Sequence, residues 1–319
     1  MVKVNKLLAA VEKAQTIAIA GHIRPDGDCI GSCMGLYLYL LKNYPAKEVS
    51  VYLEEPREGF GFIKCLQDIK TVCPADAGFD LIVILDASTE DRVGVLAPVL
   101  KHASHTLCID HHISNTGYAK ENIICGEMSS ASEVLFGLLE ADKIDADIAA
   151  PIYMGIAHDT GVFQFSSTTA KTMETAGILM SKGIDFTGIL DESFYSKSYN
   201  QNRILGYCLQ NSSLFLADRC IVSKVSLKDM EAYEVTAKDL DGIVSQLRMT
   251  RGVEAAIFMY ETKEKEYKVS LRSNGKVDVN KVAGCFGGGG HILAAGCTGQ
   301  GTYEQVLNRL LEEIKRQLD

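Results

Sequence analysis

Short apolar runs alternate with longer segments of helical periodicity through the first half of the chain. The apolar runs lie at 16–21, 49–54, 79–88 and 105–112, and the helical patterns lie at 29–44, 129–141, 148–161 and 168–183. Short apolar runs set between helices are typical of parallel strands that are buried on both faces. We therefore expect a mostly parallel sheet that is covered by helices on both sides.

The hydrophobic pattern changes in the last third of the chain. Alternating segments at 253–260 and 267–273 flank a charged turn and predict a hairpin, and an amphipathic helix is predicted over 303–318. Between the two patterns the chain is mixed and polar without a clear period. The sequence thus predicts an α/β protein with an N-terminal domain over 1–190, a linker over 191–210 and a smaller α+β domain over 211–319.

Composition and charge narrow the range of functions. The 319 residues are 47% hydrophobic and carry a net charge of −9. An acidic chain lacks the basic face that long duplex nucleic acid requires, so we do not expect such a partner. No apolar stretch predicts a membrane span, and residues 1–15 predict an amphipathic helix rather than a secretion signal. The ten cysteines include no CxxC pair, which indicates free buried thiols in a reducing, cytoplasmic setting.

Histidine and aspartate residues gather where the predicted strands end. The members are His22, Asp26 and Asp28 in GHIRPDGDCIGS after the first strand, Asp86 after the third, Asp110, His111 and His112 after the fourth, and Asp159 at a helix end. Taken singly, each group is also common as a turn or a helix cap. The carboxyl ends of parallel strands share one edge of a sheet, so we expect these side chains to converge there.

The donor types in this set predict a pair of metal ions. Carboxylates and imidazoles, with no cysteine among them, favour Mn²⁺ or Mg²⁺ over a structural zinc. Two ions about 3.5–4 Å apart need a shared ligand, and can then activate water and bind a phosphoryl oxygen. A carboxylate at the end of a central strand suits that sharing, so we predict that Asp86 is the bridge. Gly27 is expected to form a tight bend between Asp26 and Asp28.

Five short motifs occur in order along the chain: HIRPDGDCIGS, LDAS, IDHH, AHDTG and GGGGH. The first four resemble the motifs of the DHH phosphoesterase superfamily, and GGGGH at 287–291 resembles the signature of its DHHA1 C-terminal domain. The resemblance covers nearly the whole chain. Within the superfamily, the compact two-domain layout is similar to the NrnA type, which comprises bifunctional oligoribonucleases and phosphatases of pAp (3′-phosphoadenosine 5′-phosphate).

The resemblance implies a metal role for six residues. One ion would be held by His22 and Asp26 and the other by Asp28, His111 and Asp159, with Asp86 bridging the two. The family metal is typically Mn²⁺, with two ions per active site, and Mg²⁺ or Co²⁺ are alternatives.

The resemblance also implies catalytic roles around the DHH tripeptide. His112 would lie near the scissile phosphate as a hydrogen-bond donor or general acid, and Asp110 would orient a histidine. Asp86 would contribute through the metal ions. The chain departs from many relatives at His158, where they often have threonine.

Substrate-binding residues are implied in the C-terminal domain: Arg272, Ser273, Gly288, Gly289, Gly290 and His291. Consecutive glycines let a backbone approach a ligand closely and expose N–H groups, and an arginine at a strand end can grip a phosphate. From the residues alone, a flexible linker and a surface arginine remain alternatives. The resemblance implies an active site in the cleft between the two domains.

Together these features predict a metal-dependent phosphoesterase that hydrolyses short oligoribonucleotides to mononucleotides and converts pAp to AMP. The alternative is a cyclic or linear dinucleotide phosphodiesterase acting on c-di-AMP, pApA or pGpG, because the motifs are shared. A family II pyrophosphatase fits GGGGH poorly, and a long-strand exonuclease usually carries an added domain. The expected partners are short RNA oligonucleotides and small nucleotides, without a membrane or long duplex, and a homodimer is compatible with the sequence.

Overall fold

The chain divides into two compact units between Ser196 and Lys197. The computed structural model describes residues 5–318. The helix predicted over residues 1–15 is present as Lys6–Lys13 (α1), and its first four predicted residues lie outside the described part.

The segment expected to be a linker over 191–210 is largely helical. Asp191–Tyr195 forms a π-helical turn and Tyr199–Gln210 (α7) forms a helix. Ser198 and Gln201 cap the start of α7 reciprocally through side-chain and backbone groups. This local capping gives the polar segment a helix that its weak hydrophobic period does not indicate.

Five parallel strands form the sheet of the first unit: Thr16–Ala20 (β1), Glu48–Tyr52 (β2), Leu81–Leu85 (β3), His105–Asp110 (β4) and Glu121–Ile124 (β5). The four predicted strands are confirmed. The prediction misses β5, because this half-buried edge strand is short and begins with two polar residues.

The strand order β2-β1-β3-β4-β5 changes direction at β1. The chain adds β2 on one side of β1 and then β3 on the other. The crevice beyond the carboxyl ends of β1 and β3 is therefore the switch point at which open α/β sheets bind ligands. His22 follows β1 and Asp86 follows β3 directly. The topology alone thus brings these two side chains to one place.

The four predicted helices of this unit are confirmed as Gly27–Asn43 (α2), Ala131–Leu138 (α3), Ala146–Asp159 (α4) and Ala170–Met180 (α5). A further short helix, Phe186–Leu190 (α6), was not predicted. Alternate strand residues face opposite sides, so Ile19 and Val83 pack toward α2 and α4 while Ile82 packs the other way. The α/β class is confirmed. On the second face the cover is the 3₁₀ helix Ala97–His102 with its neighbouring loops.

Three glycines of α2 face α4. Gly27, Gly31 and Gly35 recur every fourth residue and so lie on one side of the helix. A Cβ on Gly31 would lie 2.4 Å from the carbonyl oxygen of Pro151 in α4, and one on Gly35 would lie 2.5 Å from the side chain of Ile152. The two helices therefore touch almost backbone to backbone.

The second unit contains a six-stranded sheet: Ser213–Phe215 (β6), Cys220–Val225 (β7), Ala255–Lys263 (β8), Glu266–Ser273 (β9), Gly289–His291 (β10) and Ala294–Gln300 (β11). Its order is β10-β11-β9-β8-β7-β6. The pair β7–β8 is parallel and the other pairs are antiparallel. The predicted hairpin is confirmed as β8–β9.

Helices pack on both faces of this second sheet. Val279–Gly284 (α10) and Tyr303–Leu318 (α11) cover the face that carries Val269 and Leu271. The opposite face is covered by α7, Leu227–Ala232 (α8) and Ile243–Arg248 (α9). That second apolar cluster takes its strand residues from β7 and β8, which leaves β9, β11 and β10 outside it.

The expected free thiols are confirmed, since all ten cysteines are unpaired, and six of them are buried. Across residues 5–318, no helix has both the length and the apolar character needed to cross a membrane.

The glycine contact between α2 and α4 gives a test of packing. Gly31→Ala should destabilise the protein by about 1–3 kcal/mol, because its methyl group would meet a backbone oxygen that cannot move alone. Urea denaturation followed by circular dichroism would measure the loss. Gly177→Ala in α5 is the control, because a Cβ there meets nothing within 4 Å. An equal effect of both substitutions would contradict this account of the contact.

Candidate metal centre

Polar side chains from four chain segments meet at the carboxyl edge of the first sheet. The segments are the β1–α2 loop, the ends of β3 and β4, and the end of α4. The side chains are His22, Asp26, Asp28, Asp86, Asp110, His111, His112 and Asp159. The structure thus gathers in one cluster every residue that the sequence predicts for the metal site.

Asp86 lies at the centre of the cluster and is 3% exposed. Its Oδ2 is 3.5 Å from His22 Nε2, and its Oδ1 is 3.6 Å from His111 Nε2. These contacts are too long for good hydrogen bonds, and Oδ1 has no hydrogen-bond partner among residues 5–318. The backbone of Asp86 adopts φ +56°, a left-handed conformation that costs about 1–2 kcal/mol in most residues. A buried carboxylate oxygen that has no hydrogen bond and lies between two imidazoles matches the needs of a bridging ligand.

His22 presents one defined nitrogen to the cluster. Its Nδ1 lies 2.8 Å from the carbonyl oxygen of Ile23, and because a carbonyl only accepts, Nδ1 carries a proton. Arg92 Nη2 lies 3.5 Å from the same nitrogen, but the shorter contact decides where the proton is. Nε2 therefore faces Asp26, 3.6 Å away, and Asp86. A histidine whose Nδ1 donates to a backbone carbonyl is oriented for metal binding through Nε2.

Asp28 is fully buried against the first turn of α3. Its Oδ2 accepts a hydrogen bond from the N–H of Ala131 at 2.6 Å, and its Oδ1 accepts one from the N–H of Ser132 at 2.9 Å. An oxygen of Asp28, one of Asp159 and a nitrogen of His111 all lie within 4.8 Å of one another. These three side chains are therefore close enough together to hold one ion, as the resemblance implies.

The DHH tripeptide forms a hydrogen-bonded network. Asp110 is fully buried, and its Oδ1 accepts from His112 Nδ1 at 2.8 Å and from the N–H of His111 at 2.9 Å. Its Oδ2 accepts from Asn115 Nδ2 at 2.7 Å. Asn115 could not be identified from the sequence, because an asparagine that donates a buried hydrogen bond looks the same there as one in a turn. Asp110 and Asn115 together fix the ring of His112.

The pKa values of the cluster reflect crowded negative charge. Burial disfavours the charged form of His22, but Asp26 and Asp86 outweigh it and raise its pKa to about 12. Burial likewise opposes protonation of His111, whose pKa Asp159 and Asp86 raise to about 11. Burial raises the pKa of Asp28, and repulsion from Asp86 adds to the effect. Without cations, protons on the imidazoles offset the carboxylates.

In the second unit, strand register places Arg272 and His291 on one face of the sheet. Arg272 in β9 pairs with Ala294 in β11, which also pairs with His291 in β10. Directly paired residues point to the same face, and neighbouring strands are about 4.8 Å apart. This face of β9, β11 and β10 lies beyond the apolar cluster that covers β7 and β8.

Ser273 and the glycines of GGGGH serve the local fold. Ser273 is buried, and its Oγ accepts from the N–H groups of Gly275 and Val277. The N–H of Gly288 donates to the Ala283 carbonyl, and that of Gly290 donates to the Asn280 side chain. These two N–H groups are therefore bonded within the chain, although Gly288, Gly289 and Gly290 are exposed, and ligand binding by the glycine run stays a prediction. A Cβ on Gly288 would lie 2.2 Å from the Gly296 carbonyl oxygen, so close pairing with β11 explains that glycine.

Gly27 makes a close contact rather than the expected bend. It is the first residue of α2, and a Cβ there would lie 2.2 Å from Cγ of His158. The ring of His158 also contacts Ser193 Oγ through Nε2 at 3.1 Å. Burial, with Arg57 nearby, lowers the pKa of His158 to about 4, so its ring is neutral. His158, the position at which this chain differs from many relatives, therefore packs a neutral imidazole against the segment that carries Asp26 and Asp28.

Comparison with known proteins identifies the family. The model of the DHH family, N-terminal domain, matches residues 16–156, and that of the DHHA1 domain matches residues 218–319. A Thermus thermophilus protein named "Bifunctional oligoribonuclease and PAP phosphatase NrnA" is 31% identical over 327 residues, covering 98% of this chain and 94% of the relative. The chain belongs to the DHH family. A Bacillus subtilis protein of the same name is 29% identical over 300 residues, covering 92% of each chain.

A solved structure supports the assignment of this chain to the DHH family. An exopolyphosphatase-related protein from Bacteroides fragilis superposes with a TM-score of 0.88 at 27% identity, covering 99% of this chain and 98% of that one. The fold predicted from the motifs is confirmed at the level of both domains.

The donor set of the DHH centre fits divalent cations. Carboxylate oxygens and imidazole nitrogens surround Asp86, whose buried Oδ1 has no hydrogen-bond partner. The sulfur of Cys29 also lies within 4.8 Å of a nitrogen of His22 and an oxygen of Asp86, and nothing in the sequence indicated this. Burial, together with Cys33, raises the pKa of Cys29 well above its usual value, so its sulfur stays protonated. Most donors at the site are nevertheless carboxylate oxygens and imidazole nitrogens, which suit a divalent cation.

Proton release should accompany divalent-cation binding to the DHH centre. With pKa values of about 12 and 11, the imidazoles of His22 and His111 are protonated near neutral pH, and each must lose a proton to become a ligand. Affinity for Mn²⁺ should therefore rise as the pH is raised. Calorimetric titration in buffers of different ionisation enthalpy would count the released protons. An affinity that does not depend on pH would contradict this assignment of the imidazoles.

Proposed function

We propose that this protein is a two-metal phosphoesterase that hydrolyses short oligoribonucleotides to mononucleotides and dephosphorylates pAp to AMP. The observation that carries the proposal is the position of Asp86, which reaches both halves of the ligand set at the switch point of the sheet. The NrnA relatives, matched over nearly the whole chain, support the same substrates.

The proposed ions are two Mn²⁺, and the ligands divide into two sets around Asp86. His22 and Asp26 form one set, and the second consists of Asp28, His111 and Asp159. When bound, two divalent cations neutralise phosphoryl charge and lower the pKa of water. The chain orients its donors before any ion arrives, through the Ile23 carbonyl on His22 and the α3 amides on Asp28.

His112 is the proposed proton donor. Its Nδ1 is bound to Asp110, so Nε2 is the nitrogen left to face a substrate. The hydrogen bond to Asp110 raises the pKa of His112, which favours the protonated ring near neutral pH. A protonated Nε2 can donate to the leaving oxygen as the phosphate ester bond breaks.

Arg272 and His291 are the proposed anchors for a substrate phosphate. They share one face of the second sheet, and a guanidinium can bind a phosphate with two parallel N–H groups. An anchor that grips a terminal phosphate would fix the number of nucleotides between itself and the cut. That geometry would favour very short strands and release single nucleotides.

Removal of the shared carboxylate tests the two-metal assignment. Asp86→Asn should lower Mn²⁺-dependent hydrolysis of a 5′-phosphorylated RNA dimer and of pAp by more than about 100-fold, beyond the loss typical when a ligand's partner is removed. Asparagine also tolerates the left-handed backbone, so the fold should persist. Asp147→Asn, which changes an exposed partner of Lys64, is the control. Retained turnover in Asp86→Asn would remove the assignment.

The anchor role of Arg272 predicts an effect on binding. Arg272→Ala should raise KM about 10–100-fold with little change in kcat, because a charge-assisted hydrogen bond of about 1.5–3 kcal/mol is lost away from the reacting atoms. Arg251→Ala, an exposed arginine of the same unit, is the control. Steady-state kinetics on pAp, pApA, pGpG, c-di-AMP and short and long RNA would separate the proposed substrates from the dinucleotide alternative. An unchanged KM would reject Arg272 as an anchor.

A further inference from the structure

The mechanism leaves one buried acid of the first unit without a role. Glu133 lies in the first turn of α3 and is 1% exposed. A buried carboxylate is costly unless it is hydrogen-bonded, so its position needs a physical reason. Glu133 is not among the cluster of metal-binding side chains, but it belongs to the helix that holds Asp28.

Three hydrogen bonds converge on one oxygen of Glu133. Oε2 accepts from the N–H of Ser129 at 3.0 Å, from the Ser129 hydroxyl at 2.6 Å and from the Thr172 hydroxyl at 3.0 Å. The backbone N–H of Glu133 donates to the side chain of Ser130, the N-cap of α3, at 3.0 Å. The start of α3 is thus tied to the chain before it and to α5.

The tied segment contains the groups that bind Asp28. The N–H groups of Ala131 and Ser132 lie between Ser130 and Glu133 in sequence, and each donates to one oxygen of Asp28. Amides at a helix N-terminus bind a carboxylate strongly because the helix dipole adds to the hydrogen bonds. A small displacement of this turn would move both donors together and carry the carboxylate with them.

The space around Asp28 leaves little freedom for such movement. A Cβ on Gly155 in α4 would lie 2.0 Å from Ser132 Oγ and 2.8 Å from Asp28 Oδ1. The first turn of α3 therefore lies against the backbone of α4, while Glu133 holds it from the side of α5.

We propose that Glu133 is a positioning residue, which uses Ser129 and Thr172 to fix the α3 amides that hold Asp28 in place for a divalent cation. The inference rests on the proposed function in one respect, namely that Asp28 is a metal ligand. It extends the centre from its ligands to a path that runs from Thr172 to Glu133 by a hydrogen bond, along the first turn of α3, and from the amides of that turn to Asp28.

Metal titration of two Glu133 variants tests the path. Calorimetry with Mn²⁺ on the full chain should show that Glu133→Ala weakens binding of one ion about 10–100-fold, the range found when residues that orient a ligand are removed. Glu133→Gln keeps an acceptor oxygen for Ser129 and Thr172, so it should bind Mn²⁺ within a few-fold of the unmodified protein. Equal losses in both variants would contradict a role carried by these hydrogen bonds.

Two variants that change less of the buried structure provide the test if Glu133→Ala does not fold. Thr172→Val removes one donor to Glu133, and Thr175→Val, a similarly buried threonine one turn further along α5, is the matched control. Thr172→Val should weaken Mn²⁺ binding at one site severalfold, and Thr175→Val should leave both sites unchanged. A fall in Tm with unchanged Mn²⁺ affinity in Thr172→Val would show a merely structural role and overturn the proposal.

The same titration separates this proposal from the one on which it rests. If the unmodified protein binds no Mn²⁺, the two-metal function fails. If it binds two ions and the Glu133 and Thr172 variants bind them equally well, only the positioning role fails.

Discussion

One electrostatic constraint shapes the first unit: several carboxylates lie close together where little water reaches them. Each is compensated in a different way. Two α3 amides hold Asp28, while His112, Asn115 and a backbone N–H hold Asp110. Asp86 lacks such bonds at Oδ1 and contacts only imidazoles at longer range. The carboxylates of Asp28 and Asp110 therefore have hydrogen-bond donors within the protein. The negative charge that has the fewest such donors is that of Asp86, which lies between them. A cation is the natural partner for that charge.

The placement of the cluster could be predicted from the sequence because it depends on a general rule. Residues that follow parallel strands reach the same edge of the sheet. The division of these residues between two ions came from the resemblance to the DHH motifs and stays a prediction. Asn115, Glu133 and Thr172 could not be predicted in this way. Their roles depend on contacts between segments far apart in the chain, and each residue type is equally common in turns and caps. The short edge strand β5 was missed for a related reason, since its four residues carry almost no hydrophobic period.

Glycines were the residues whose roles the sequence defined least. The lack of a Cβ serves a sharp bend, an approach to a ligand and tight packing equally well, so a glycine motif does not say which of these it supports. Gly27 was assigned to a bend and Gly288 to a ligand, yet both accommodate a neighbouring part of the same chain. In α2 the repeat at every fourth residue was visible in the sequence, and that spacing is the signal that would have indicated helix packing.

The three glycines of α2 that face α4 influence the spacing of side chains in the metal centre. Asp28 lies in α2 and Asp159 at the end of α4, and at Gly31 the two helix backbones touch with no side chain between them. The spacing of these two carboxylates is thus governed by how closely the two helices pack. Divalent ions differ in radius and in the coordination geometry that they accept. A site whose ligands are held at a set spacing discriminates among ions by size and geometry, whereas affinity alone follows the general order of the transition metals.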